Sequence, residues 1–168
     1  ELVVKSLDEI TFLRENGLGD IPMVSDANLY VLNHLAREQM EDLGISRMTL
    51  PLELNSRELE TLGCEEMELY VYGYLPAMVS AQCIVRTTKG CTKQPEVLKM
   101  RDRTGKDLPV KNHCRFCYNT IYNPSPLSLL GQEKLIRRLA PGALRLAFTL
   151  ETPEQMKAMI QEIVDGEN

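Results

Sequence analysis

The sequence predicts an α/β protein built from parallel βα units. Short apolar runs alternate with segments whose apolar residues recur about every 3.6 positions. Cap and stop residues fall at the junctions between them. Three strand-helix steps follow one another before the rhythm breaks, which implies parallel strands joined by right-handed crossovers. Units of this length suit either a doubly wound sheet or part of a (β/α)8 barrel, and composition does not choose between the two.

The elements follow in order. "ELVVKS" reads as a buried strand, and Ser6, with Glu9 three residues on, caps a helix through "LDEITFLREN" that Gly17 stops. "DIPMVSDANLYV" supplies the second strand and its loop, with Asp26 and Asn28 at the strand's end. A helix through "NHLAREQMEDLG" places Leu35, Met40 and Leu43 on its apolar side and ends at Gly44. "SRMTLPLEL" is a strand, Asn55 or Ser56 caps "RELETL", and "MELYVYGYLPAMVS" is a longer strand broken by Gly73 and Pro76. Between Gln82 and Asn112 the period is lost, and "LKMRDRTGKDLPVKN" predicts an inserted β-hairpin around Thr104-Gly105. The rhythm then resumes: a helix in "GQEKLIRRLAPG", a strand in "ALRLAFTLE", and a last helix opened by Thr152-Pro153, with Gly166 past its end.

At 168 residues the chain is expected to form a single domain around one core. No apolar run approaches the ~20 residues of a membrane-spanning helix. The opening residues carry no initiator Met, basic leader or cleavage site, so the chain reads as a piece of a longer protein. Its net charge is −5, yet segment 84–117 holds nine basic residues against three acidic ones, leaving −11 elsewhere. A basic segment on an acidic body is either a solvated hairpin face or a surface for a polyanionic or carboxylate-bearing partner. Arg86, Lys89, Arg101, Arg103 and Arg115 are the candidate substrate-binding side chains.

Five cysteines without a secretory signal argue against a disulfide framework and for a reducing, cytoplasmic setting. Cys83, Cys91, Cys114 and Cys117 fall in the segment 83–117, separated by seven, twenty-two and two residues. Two thiolates two residues apart can face one metal, so the four can close a metal site. Zinc favours paired short knuckles, whereas only one pair here is short. A larger iron-sulfur cluster accepts irregular spacing, and the balance tilts toward it. Ordinary buried cysteines remain a second reading. A thioredoxin-like pair is the poorest fit, because Cys114 and Cys117 do not open a helix after a strand. Cys64, beside Gly63 at a helix end, reads as filler.

No protease, phosphate-binding or dinucleotide-binding motif is present. His34 follows a strand, and His113 adjoins the cysteine pair without making a dyad by sequence adjacency alone. Asp26, Asn28, Glu53, Asn55 and Glu68 lie on or after strands, where they serve equally as turn or cap residues. No catalytic residue is assigned.

The stretch "MELYVYGYLPAMVSAQCIVRTTKGC", with Glu68, Tyr70, Gly73, Leu75, Ser80, Cys83 and then Gly90-Cys91, resembles the signature region of peptidase family U-thirty-two, the collagenase-like peptidase family. "SDANLYVLN", "LPLELN" and "LRLAFTLETPEQM" extend the likeness over essentially the whole chain. The chain departs from the family pattern at Tyr74 and Pro76 and in the close spacing of Cys114 and Cys117. The resemblance implies the C-terminal part of a TIM-like (β/α) barrel domain, with the cysteines on an inserted hairpin over residues 83–117. It implies Cys83, Cys91, Cys114 and Cys117 as ligands of an iron-sulfur cluster, 4Fe-4S in type, which handling in air removes. The implied function is hydroxylation or other modification of RNA or a quinone precursor. The alternatives are a peptidase (hydrolase) acting on collagen-like or other peptides, and a zinc-stapled structural or partner-binding module. Expected partners are RNA or another anionic substrate, the rest of the parent protein, and further copies pairing through exposed sheet edges.

Overall fold

The computed structural model describes residues 1–166. The chain divides into two compact units: residues 1–71 with 131–146, and residues 72–130 with the segment from 147 on.

The first unit is the βα part. Strands β1 (Leu2–Val4), β2 (Met23–Ser25) and β3 (Ile45–Met48) lie side by side in chain order, all parallel. Leu2 pairs with Met23 and Met23 with Ile45. A parallel bridge from Thr49 to Glu68 carries the series on to β4 (Glu68–Gly73), and β10 (Ala143–Ala147) neighbours β4. Val4, Met23, Val24, Ile45 and Val71 are buried, as expected of short strands covered on both faces.

Helices α1 (Leu7–Glu15), α2 (His34–Asp42) and α3 (Ser56–Leu62) are the crossovers. Each starts on a residue whose side chain can accept a backbone N–H. Ser6 accepts from Glu9 N at 3.3 Å, but Glu9 returns its carboxylate to Lys5 N, one residue earlier than a capping box requires. Asn33 caps α2 through Ala36 N at 2.9 Å. Asn55 caps α3 in a complete capping box, with Glu58 Oε2 accepting from Asn55 N at 2.7 Å. Helix α5 (Glu133–Leu139) pairs Arg138 with Glu60 at 2.6 Å. Gly142 then enters β10 close to the backbone, where a Cβ would lie 2.5 Å from Glu65 O.

The second unit is antiparallel. Strands β5 (Pro76–Ser80), β6 (Val97–Arg101), β7 (Asp107–His113) and β8 (Tyr118–Tyr122) form one sheet in the order β5-β8-β7-β6. Pro76 sits on an edge strand, and Pro109 lies outside the stretch of β7 that pairs with β8, so neither withholds an N–H from a central ladder. The β6–β7 hairpin turns through 102–106, where the Asp102 carboxylate accepts from Thr104 N and Lys106 N at 2.7 and 2.9 Å. Gly105 takes the left-handed conformation there, φ 83°. Strand β9 (Leu127–Ser128) pairs with the end of β4 through Tyr72 and Gly73. Helix α6 (Pro153–Gly166) starts at a second reciprocal cap, Thr152 with Gln155.

Several expectations are corrected. Residues 68–80 are not one strand: Tyr74 and Leu75, just after Gly73, separate β4 from β5, which belong to different sheets. In "SRMTLPLEL" strand β3 ends at Met48, pairing to Glu68 continues through Thr49 and Leu50 N, and Pro51, which has no N–H, follows the last paired residue. Residues 84–89 are a helix, α4 (Ile84–Lys89), which buries only Val85 and so shows no apolar period. Leu35 is 76% exposed, and Met40 alone is buried from α2. Gly166 lies within α6. Among the described residues no helix is long and apolar enough to cross a membrane.

Two substitutions check this packing. Gly142→Ala should destabilise the protein in chemical denaturation by about 1–3 kcal/mol, because backbone must shift to admit a methyl group. Leu35→Ala should change stability by less than about 0.5 kcal/mol.

Candidate metal centre

Each cysteine reaches its place by a local device. Beyond β5, Asn119 Nδ2 donates to Gln82 O at 2.7 Å and Ser80 O at 3.5 Å, tying residues 80–82 to β8. Cys83 follows in extended conformation, and its Sγ accepts from Arg86 N at 3.4 Å, so the sulfur itself caps α4. Helix α4 spans about 9 Å at 1.5 Å per residue. Gly90 ends it at φ 83°, and Cys91 comes next, so one short helix separates the first two sulfurs.

The other two close the β7–β8 connection. Cys114–Phe116 is a single 3-10 turn, and Cys117 takes the left-handed conformation, φ 54°, donating its N–H to Cys114 O at 3.4 Å. A left-handed non-glycine residue costs about 1–3 kcal/mol, and such strain collects at functional sites. Lys93, in the loop that carries Cys91, shares it at φ 54°.

All four of these thiols line one cavity of about 600 Å³, together with Ala81, Gln82, Arg86 and Thr87. They also feel one another. Partial burial first, then Cys91, Cys117 and Cys83, push the Cys114 thiol above its ordinary value, because thiolates gathered together repel. All are free of disulfides. Among the described residues no group of three or more His, Cys, Asp or Glu side chains is placed to hold a metal ion. Four thiolates around one zinc sit about 3.8 Å apart, from a metal–sulfur distance of about 2.3 Å. A polynuclear cluster binds its cysteines at separate corners and takes a wider set.

A second cavity, about 630 Å³, shares Cys91, Cys114 and Cys117 and adds Lys93, Lys111, Arg115, His113 and Phe116. Arg115 stacks over the Phe116 ring at 5.5 Å. His113 does not engage a cysteine. Its ring stacks on Tyr118 with centroids 4.4 Å apart, and its Nε2 lies 3.2 Å from Thr120 Oγ1. Burial, then Lys111, lower its pKa and keep the ring neutral at pH 7.

Of the basic residues singled out, Arg86 and Arg115 line the two cavities. Lys89 pairs with Glu96 at 3.6 Å, Arg101 pairs with Asp107 at 2.8 Å, and Arg103 is exposed in the hairpin turn. Lys93 and Lys111, also basic and also lining, were not distinguished from their neighbours by sequence. In the first unit Asp26 and Glu68 meet through Arg145, whose guanidinium reaches Asp26 Oδ1 at 3.2 Å and Glu68 Oε2 at 2.5 Å. Thr49 and Arg47 also approach Glu68. Asn28 holds Lys5 O, Asn55 is the α3 cap, Glu53 lies in a turn, and His34 opens α2. Cys64 is 1% exposed in the first unit, with Sγ 3.3 Å from Leu59 O, and burial raises its pKa.

No family model, no curated protein and no solved structure matches the chain.

In reduced, metal-free protein, iodoacetamide followed by mass spectrometry should label exposed Cys91 and Cys117 first, half-buried Cys83 and Cys114 more slowly, and Cys64 only on unfolding. Early labelling of Cys64 would contradict this burial order.

Proposed function

We propose that Cys83, Cys91, Cys114 and Cys117 hold an iron-sulfur cluster of the 4Fe-4S type, in a domain that serves hydroxylation or another modification of RNA or a quinone precursor. The observation that carries the reading is the convergence of four thiols, from three separate stretches of chain, on one cavity. The donor set has the chemistry such a group needs: it is all sulfur, and none of it is in a disulfide. When bound, the cluster supplies one-electron chemistry.

The chain's own residues do the rest. Arg86 at the cysteine cavity and Lys93, Lys111 and Arg115 beside it hold an anionic substrate next to the cluster by charge. Neutral His113, fixed on Tyr118 and Thr120, is an uncharged wall of that second cavity. The first unit supports the TIM-like barrel reading: its parallel strands are ordered as in the chain, which is how such barrels grow, whereas a doubly wound sheet reverses order at its centre. The likeness to the collagenase-like peptidase family, a cytoplasmic setting, and pairing of copies along β5, whose Met78 and Val79 are exposed, belong to the same proposal.

Protein purified without oxygen should be brown and carry about 4 Fe per chain, and Cys114→Ser should lower that content sharply. Colourless, iron-free protein from that preparation would refute the proposal, and one stoichiometric zinc would favour a structural module. For a single-stranded RNA probe, Lys93→Ala and Arg115→Ala should each flatten the log-log salt dependence of binding by about 0.7. Arg103→Ala should leave it unchanged.

A further inference from the structure

Asn112 and Asn119 stand directly opposite each other on β7 and β8. Both are buried, 2% and 0% exposed. Asparagine is depleted in strands, so a buried cross-strand pair of them calls for a physical reason. Both amide groups point at the same short segment. Asn119 Nδ2 donates to the carbonyls of Gln82 and Ser80, and Asn112 Nδ2 donates to Cys83 Sγ at 3.8 Å. The Oδ1 atoms of both are buried with no hydrogen-bond partner. An unmet buried acceptor costs about 1–3 kcal/mol. Apolar side chains would avoid that cost on both strands, so packing alone does not account for the pair.

We infer that Asn112 is a positioning residue that sets the reduction potential of the metal centre through its hydrogen bond to Cys83 Sγ. The inference rests on the cluster reading above. Cys83 Sγ already accepts from Arg86 N, a backbone group that no side-chain substitution removes. The Asn112 amide is therefore the adjustable donor. Reduction adds one electron to the cluster without making or breaking a bond, and part of the added charge resides on the ligand sulfurs. A donor N–H stabilises that charge, favours the reduced form and raises the potential.

The test is a dithionite titration of the whole chain, prepared without oxygen and followed by electron paramagnetic resonance. Asn112→Leu keeps the side-chain size and removes the donor. It should retain wild-type iron content while the reduced-to-oxidised ratio at the wild-type midpoint falls at least tenfold, about 59 mV for a one-electron couple. Asn112→Asp keeps the shape and turns an oxygen toward the sulfur. It should shift the midpoint further in the same direction, and it gives the readout should Asn112→Leu not fold. Unshifted midpoints in iron-loaded variants would overturn this inference and leave the cluster reading standing. Iron-free wild-type protein would overturn both.

Discussion

Strand β8 is paired along both edges, to β5 on one side and to β7 on the other, and that double pairing fixes where the sulfurs can go. Ser80 opposite Asn119 sets the end of β5, and Cys83 begins three residues later. His113 opposite Tyr118 sets the start of the turn that carries Cys114 and Cys117. Because side chains alternate between faces, a slip of one residue in either ladder would turn Asn112 or Asn119 to the opposite face and take the anchors of residues 80–83 with it. Cys91 is the least constrained of the four, held by α4 on one side and β6 on the other.

Gathering four thiols is electrostatically unfavourable once they ionise, and Cys91, Cys117 and Cys83 add to the effect of burial in raising the Cys114 thiol. Under the cluster proposal a bound cation offsets that repulsion, and its binding would then be part of the folding free energy of the segment. The strained backbone at Cys117 and Lys93 and the two orphaned asparagine oxygens are further costs in the same small region. Left-handed non-glycine residues also occur in the first unit, at Tyr30 and Ala140, where each ends a helical turn, while Cys117 and Lys93 lie in the loops that carry the sulfurs.

Much of the frame was legible in the sequence because its signals are local. The Asn55–Glu58 box, the Thr152-Pro153 start and the Thr104-Gly105 turn each act over a few residues. The cysteine spacing pointed to one group of four and set Cys64 apart. What escaped was either non-periodic or long-range. Helix α4 buries a single residue and depends on a sulfur cap, so no apolar pattern announces it. Arg145 joins Asp26 and Glu68 from 119 and 77 residues away, which no spacing rule reaches. The exposure of Leu35 reflects which side of α2 the sheet covers, a tertiary fact that periodicity alone does not fix. The two strand asparagines were visible as poor strand formers, and that misfit was the available signal for them.

X-ray absorption at the iron edge, on oxygen-free protein reconstituted with iron and sulfide, tests the central claim most directly. If the four sulfurs share one cluster, each iron has sulfur nearest neighbours and a distinct shell of other irons beyond them, and replacing Cys83 with Ser disturbs both shells. Iron with sulfur neighbours but no iron shell, or with mainly oxygen neighbours, would contradict the account.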